Sequence, residues 1–186
     1  MHKLATLVTN TLFLSLLFIW QNPSIAESKT QNKPAPQWQT SKWFNSEAIN
    51  LKDLKGQVVI IEFFQLWCPG CNSFSIPLVQ TWQKKYANEI KNKKLKIVSI
   101  HTVFEGYDYQ NNSRLKTFLK EKNITHPVGV DKRLENERLP ETMKAFQTRG
   151  TPQMAIIDKQ GNIRFNEFGG FMPEIAEQLI DKLLTE

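Results

Sequence analysis

The 186-residue chain has two cysteines, and only two residues separate them, in Trp67-Cys68-Pro69-Gly70-Cys71. A bridge between them closes a very small ring, so on a loop-entropy argument it stabilises the fold by ~2 kcal/mol at most. A structural staple joins distant segments. This spacing suits a pair that opens and closes, as in dithiol–disulfide exchange. There a thiolate attacks a disulfide sulfur, a mixed disulfide forms, and a second thiol displaces the product. The same two thiolates could instead hold a metal. Structural zinc takes four ligands, and the chain adds only His2, in its N-terminal segment, His101 and His126. No metal is therefore assigned, and copper(I), which suits soft thiolates, is the competing occupant. No cofactor is called for, because the two sulfurs carry the electrons themselves.

Such chemistry needs a rigid mount. Val58-Val59-Ile60-Ile61-Glu62-Phe63-Phe64 is an unbroken β-branched and aromatic run after Gly56, which predicts a strand buried on both faces. The cysteines follow it, and a helix is predicted from there to about Asn88. Phe74, Leu78, Trp82 and Tyr86 recur every fourth residue along it, and Pro77 should bend it. Cys68 then opens a helix, where unpaired N–H groups and the helix dipole favour a thiolate. We assign Cys68 as the nucleophile and Cys71, one turn deeper, as the resolving thiol.

Further along, strands are predicted over Leu95–Val103, Pro127–Val130, Gln153–Ile157 and Ile163–Phe168, and helices over Ser113–Lys122 and Leu139–Phe146. Leu115, Phe118 and Leu119 should face inward. Pro173 opens a last helix with Ile175, Leu179 and Leu183 on one face. Strands alternating with helices imply an α/β fold around a mixed sheet.

Ahead of this domain, Lys3 precedes the apolar stretch Thr11–Trp20, and Ser24-Ile25-Ala26 offers small residues for cleavage. Residues 1–26 therefore read as a signal peptide, with an uncleaved anchor as the alternative. Residues 27–40 read as a flexible linker, and 41–186 as the domain. Export to the periplasm or another extracytoplasmic space places Cys68 and Cys71 where disulfides persist. The net charge is +6. Its densest run, Lys91 to Lys96, lacks interleaved aromatics and reads as a solvated connection, so no nucleic-acid partner is assigned.

The stretch Leu51 to Phe64 leading into Trp67-Cys68-Pro69-Gly70-Cys71 resembles the TlpA-like branch of the thioredoxin superfamily. Gly150-Thr151-Pro152 resembles that family's cis-proline loop, and Asp158 to Ile163 the hairpin after it. The likeness runs from about Trp43 to the C-terminus. It implies a thioredoxin-like fold, a central mixed sheet flanked by helices, with an extra strand and helix between the cysteine helix and the proline loop. It also implies a protein thiol–disulfide oxidoreductase, in the reducing direction, recharged by a membrane electron donor and acting on exported protein disulfides or thiols.

By this resemblance Pro152 is cis, the backbone of Thr151 pairs with an extended substrate, and Trp67 and Pro69 shape the docking surface. Glu62, six residues before Cys68, matches the family's buried acid. A carboxyl buried there has a raised pKa and could take the proton of Cys71. The family mostly has proline before its second cysteine, whereas here Pro69 follows the first, an order more like glutaredoxins and oxidants such as DsbA. A thiol peroxidase of peroxiredoxin type is a further alternative, but Gln65 stands where such enzymes place a threonine. His101 reads as a satisfied structural histidine, and His126, before Pro127, as a loop residue.

Overall fold

The computed structural model describes residues 33–186. The signal-peptide reading of 1–26, and the linker reading as far as residue 32, lie outside the described residues. In chain order come β1 (Lys33–Pro34), β2 (Thr40–Phe44), a tight turn of helix at Leu51–Leu54 and β3 (Val58–Phe64). A wide helical turn (Cys71–Ser75) runs into α1 (Ile76–Lys85), followed by α2 (Ala87–Lys91) and β4 (Leu95–His101). Then follow α3 (Asn112–Glu121), β5 (Val128–Asp131), α4 (Glu141–Ala145), β6 (Gln153–Ile157), β7 (Asn162–Phe168) and α5 (Pro173–Thr185).

The strands form one sheet in the order β1-β7-β6-β3-β4-β5-β2. β3, β4 and β5 run parallel, and β6 returns antiparallel on the other side of β3. This is the mixed thioredoxin-like sheet expected from the sequence, and β5 with α4 adds a strand and helix before the proline loop. All seven residues of β3 are buried, as a central strand covered on both faces requires. One face carries Trp38, Leu51, Ile61, Phe63 and Phe146. The other carries Val58, Ile60, Trp82, Ile156 and Ile180. A third cluster, with Phe64, Leu66, Ile76 and Leu115, includes both cysteines, so the reactive pair stands on packed core.

Several expectations need correction. The linker does not run to residue 40. Lys33 and Pro34 pair with Ile163 and Asn162, and Trp38 is buried with its indole N–H donating to the Ile49 carbonyl at 2.7 Å. β2, which closes the β5 edge, lies in a polar stretch whose alternation was too short to read. In α5 the buried positions are Ala176, Ile180 and Leu183, while Ile175 is exposed. The helix seats on its small residue, which lets it approach Val58 and Ile60 of β3. The helix after the cysteines is not regular either. Its first full turn is wide, immediately before Pro77, which has no N–H to offer the preceding turn.

Candidate functional site

β3 ends at Phe64, and the chain turns through Gln65 to Trp67 before a helical segment opens at Pro69. Proline is at ease at a first helical position, where no N–H is needed. Cys68 therefore stands at the helix start, and Cys71 lies within its first turn. The two sulfurs are joined as a disulfide, with the Cα atoms 5.2 Å apart. The Cys71 backbone N–H donates to Cys68 Sγ at 3.1 Å. The same dipole stabilises a thiolate on Cys68 once the bridge is reduced. Asn72 fastens the loop, its side-chain amide donating to the carbonyls of Leu66 at 2.9 Å and Cys68 at 3.0 Å. Cys71 is wholly buried, so an incoming disulfide meets Cys68.

The Thr151–Pro152 peptide is cis, and its ring abuts the cysteine turn. A Cβ added at Gly70 would lie 3.0 Å from Pro152 Cδ, which accounts for glycine at that position. Trp67, Cys68, Pro69, Phe104, Thr151 and Phe168 line an open groove of about 390 Å3. Trp67, Pro69 and Thr151 of the expected docking residues thus border one groove, Pro152 abuts Gly70 beside it, and Glu62 is not part of its lining. Trp67 is 44% exposed. Its ring stacks on Tyr109 at 5.6 Å, Arg114 covers the Tyr109 ring at 4.1 Å, and its indole N–H donates to Gln65 Oε1 at 3.2 Å. Gly106, at a φ of 61°, packs under Trp67. Gly106→Ala should combine left-handed backbone strain with overlap on the indole, costing about 1–3 kcal/mol. Thermal melts and Trp67 fluorescence would check this, and an unshifted melt with unchanged emission would refute it.

Glu62 is 1% exposed. Its Oε1 accepts from Ser75 at 2.6 Å and its Oε2 from Ser99 at 2.7 Å. Ser75 follows Cys71 by one turn of the helical segment, and Ser99 pairs with Glu62 across β3 and β4. Desolvation raises the Glu62 pKa, and the two hydroxyls only partly oppose it. Because the folded-state value is the higher one, the burial costs nothing at low pH. The penalty grows as pH rises from the usual carboxylate range through the raised value. Glu62→Gln should therefore stabilise the oxidised protein, more at pH 8 than at pH 4. The gain should be about 1.4 kcal/mol for each tenfold weakening of the acid. Equal shifts in melting temperature at both pH values would contradict it.

Sequence reasoning missed the next residue in this chain of contacts. His126 is buried, with Nε2 2.6 Å from Ser99 Oγ and Nδ1 3.1 Å from Gln83 Oε1. It stands in the loop before β5, as expected, but its ring is buried in a polar network. His101 differs from expectation in the other direction. It is buried against Phe64 at 5.3 Å, yet neither ring nitrogen has a hydrogen-bond partner among the described residues. Burial lowers both rings from 6.5 to about 4. Among the described residues no three His, Cys, Asp or Glu side chains gather to hold a metal.

This is a thioredoxin fold with a cysteine pair opening a helix beside a cis-proline. The sequence matches the AhpC/TSA family over residues 32–166, and the chain belongs to that family. It is 25% identical over 173 residues to the sporulation thiol-disulfide oxidoreductase A of Bacillus subtilis, covering 93% of both chains. It is 26% identical over 147 residues to protein DipZ of Mycobacterium tuberculosis, covering 77% of this chain and 19% of DipZ. Among solved structures, a thioredoxin-like superfamily protein matches at 40% identity and TM-score 0.77, covering 82% of this chain and 97% of the other. A thiol-disulfide isomerase from Corynebacterium glutamicum matches at 34% identity and TM-score 0.74, again over 82% and 97%. These relatives accord with the TlpA-like resemblance read from the sequence.

Proposed function

We propose that the protein is an exported thiol–disulfide oxidoreductase that reduces protein disulfides. The observation that carries this reading is the Cys68 sulfur at a helix start, receiving the Cys71 N–H and bordering an open groove, with the resolving sulfur buried behind it. Cys68 as thiolate attacks a partner disulfide. One partner sulfur bonds to Cys68, and the other leaves as a thiolate. Cys71 then loses its proton to the Glu62 carboxylate and attacks Cys68 Sγ, which releases the second partner sulfur and closes the intramolecular disulfide. Two electrons pass to the partner, and a membrane electron donor restores the dithiol. Trp67, Pro69, Thr151 and Pro152 present the partner strand.

The relatives named as thiol-disulfide oxidoreductases support the reaction type, and the basic, apolar, small-residue order of the first 26 residues supports export. Cys71→Ser tests the reading directly. It should accumulate a mixed disulfide on Cys68 when mixed with a disulfide-bonded protein, seen by non-reducing mass analysis. If no adduct forms on Cys68, the proposal fails. The direction is tested by the reduction potential of the pair. A value near the ~−270 mV of thioredoxin fits a reductase, and one near the ~−120 mV of DsbA makes the protein an oxidant.

A further inference from the structure

Cys71 attacks only as a thiolate, and a proton that stays on Glu62 can return to it before the attack, so onward removal of that proton favours resolution. Glu62 is sealed from solvent, so direct release is closed to it. Its hydrogen-bond chain nevertheless reaches the surface. Ser99 Oγ lies 2.7 Å from Glu62 Oε2 and 2.6 Å from His126 Nε2. His126 Nδ1 lies 3.1 Å from Gln83 Oε1, and Gln83 borders an open recess of about 490 Å3 with Lys84, Lys122 and Asn123.

The contacts allow two complete protonation patterns. In one, protonated Glu62 donates to Ser99, the Ser99 hydroxyl donates to His126 Nε2, and Nδ1–H donates to Gln83. Moving one proton along each of the first two bonds yields the other: Glu62 carboxylate, an intact Ser99 hydroxyl and an imidazolium. No hydrogen bond is lost between them.

We propose that Ser99 and His126 are positioning residues forming the exit path for the proton that Cys71 gives up, discharged from His126 at the Gln83 recess. The inference rests on Glu62 as the proton acceptor in the proposed exchange. The proton leaves Cys71 Sγ for Glu62, passes through the Ser99 hydroxyl to His126 Nε2, and an Nδ1 proton departs to water. The electrons stay with the sulfurs. The ionisable groups around this ring are Glu62 of β3, reached through Ser99 of β4, and the recess lysines Lys84 of α1 and Lys122 after α3. From the β2 end Asn45 offers only a neutral amide, to the His126 carbonyl. Desolvation of the ring disfavours retention of an imidazolium, which favours discharge.

The test is single-turnover oxidation of the reduced protein by a small peptide disulfide, separating mixed-disulfide formation from its resolution. His126→Gln and Ser99→Ala should each slow resolution about tenfold, a fraction of a full acid–base contribution. They should leave the first attack by Cys68 at its original rate and raise the solvent deuterium isotope effect on resolution. Imidazole added to His126→Ala should recover the rate, which a purely structural role does not allow. If His126→Ala does not fold, the other two variants carry the test. Resolution at the wild-type rate in His126→Gln and Ser99→Ala, with Glu62→Gln slow, overturns the exit path and leaves Glu62 as acceptor. A wild-type rate in Glu62→Gln removes the acceptor and the path together.

Discussion

Cys68→Ser abolishes the reduction of insulin disulfides, by about 10^4-fold or more, the scale of loss when a covalent nucleophile is removed. A serine hydroxyl at the helix start does not ionise in the working range, and the one other cysteine, Cys71, is wholly buried. The fold is not the cause of the loss, because a bridge closing so short a ring supplies ~2 kcal/mol at most. Cys68→Ser should therefore keep its native circular dichroism and melt within several degrees of the parent in its oxidised form. The decisive comparison is with Cys71→Ser, which retains the attacking sulfur and should lose turnover while still capturing one equivalent of substrate. If the pattern is reversed, with Cys68→Ser capturing and Cys71→Ser inert, the assignment of nucleophile and resolving thiol is wrong. Burial argues against that reversal, since Cys71 has no exposed surface for a partner sulfur to approach.

The nucleophile was legible because its signals are local. A buried strand, a two-residue cysteine spacing and a helix start are adjacent in sequence, and each follows from backbone chemistry. The proline loop was legible only through resemblance, since nothing in Gly150-Thr151-Pro152 itself states that it meets Gly70, some eighty residues earlier. His126 was not legible for the opposite reason. Its role depends on three elements meeting: Glu62 on β3, Ser99 on β4 and Gln83 on α1. A signal was nonetheless present. Glu62 is the one polar residue of β3, and Ser99 is a buried polar residue in β4 between Val98 and Ile100, a pairing that the register places side by side. β1 and the buried Trp38 escaped because prolines and polar residues surround them, and an edge strand of two residues has no period to detect.

Two buried histidines should weaken this fold as pH falls below 6.5, against the opposite trend of the buried Glu62 and Asp131 carboxyls. Each ring has a folded-state value of about 4, against 6.5 for an ordinary histidine. Above 6.5 both states hold the rings neutral, and the difference contributes nothing. Between 6.5 and 4 the unfolded chain binds protons that the folded chain refuses, so stability falls with pH. Below 4 both states are protonated and the loss levels off. The cost amounts to about 3 kcal/mol for each ring. The two rings should respond differently to substitution. Neither His101 ring nitrogen has a well-formed hydrogen bond among the described residues, and Gln110 is the one side chain that favours its charged form, so His101→Leu removes a desolvated polar ring at the expense of its packing, Phe64 included. Urea titrations at pH 8, 6 and 5 should show the variant close to the parent at pH 8 and gaining on it steadily as pH falls. His126→Gln should show a similar gain at pH 5 but a deficit at pH 8, because Ser99 and Gln83 lose a matched partner. A His101→Leu gain independent of pH would show that His101 is not held neutral in the core.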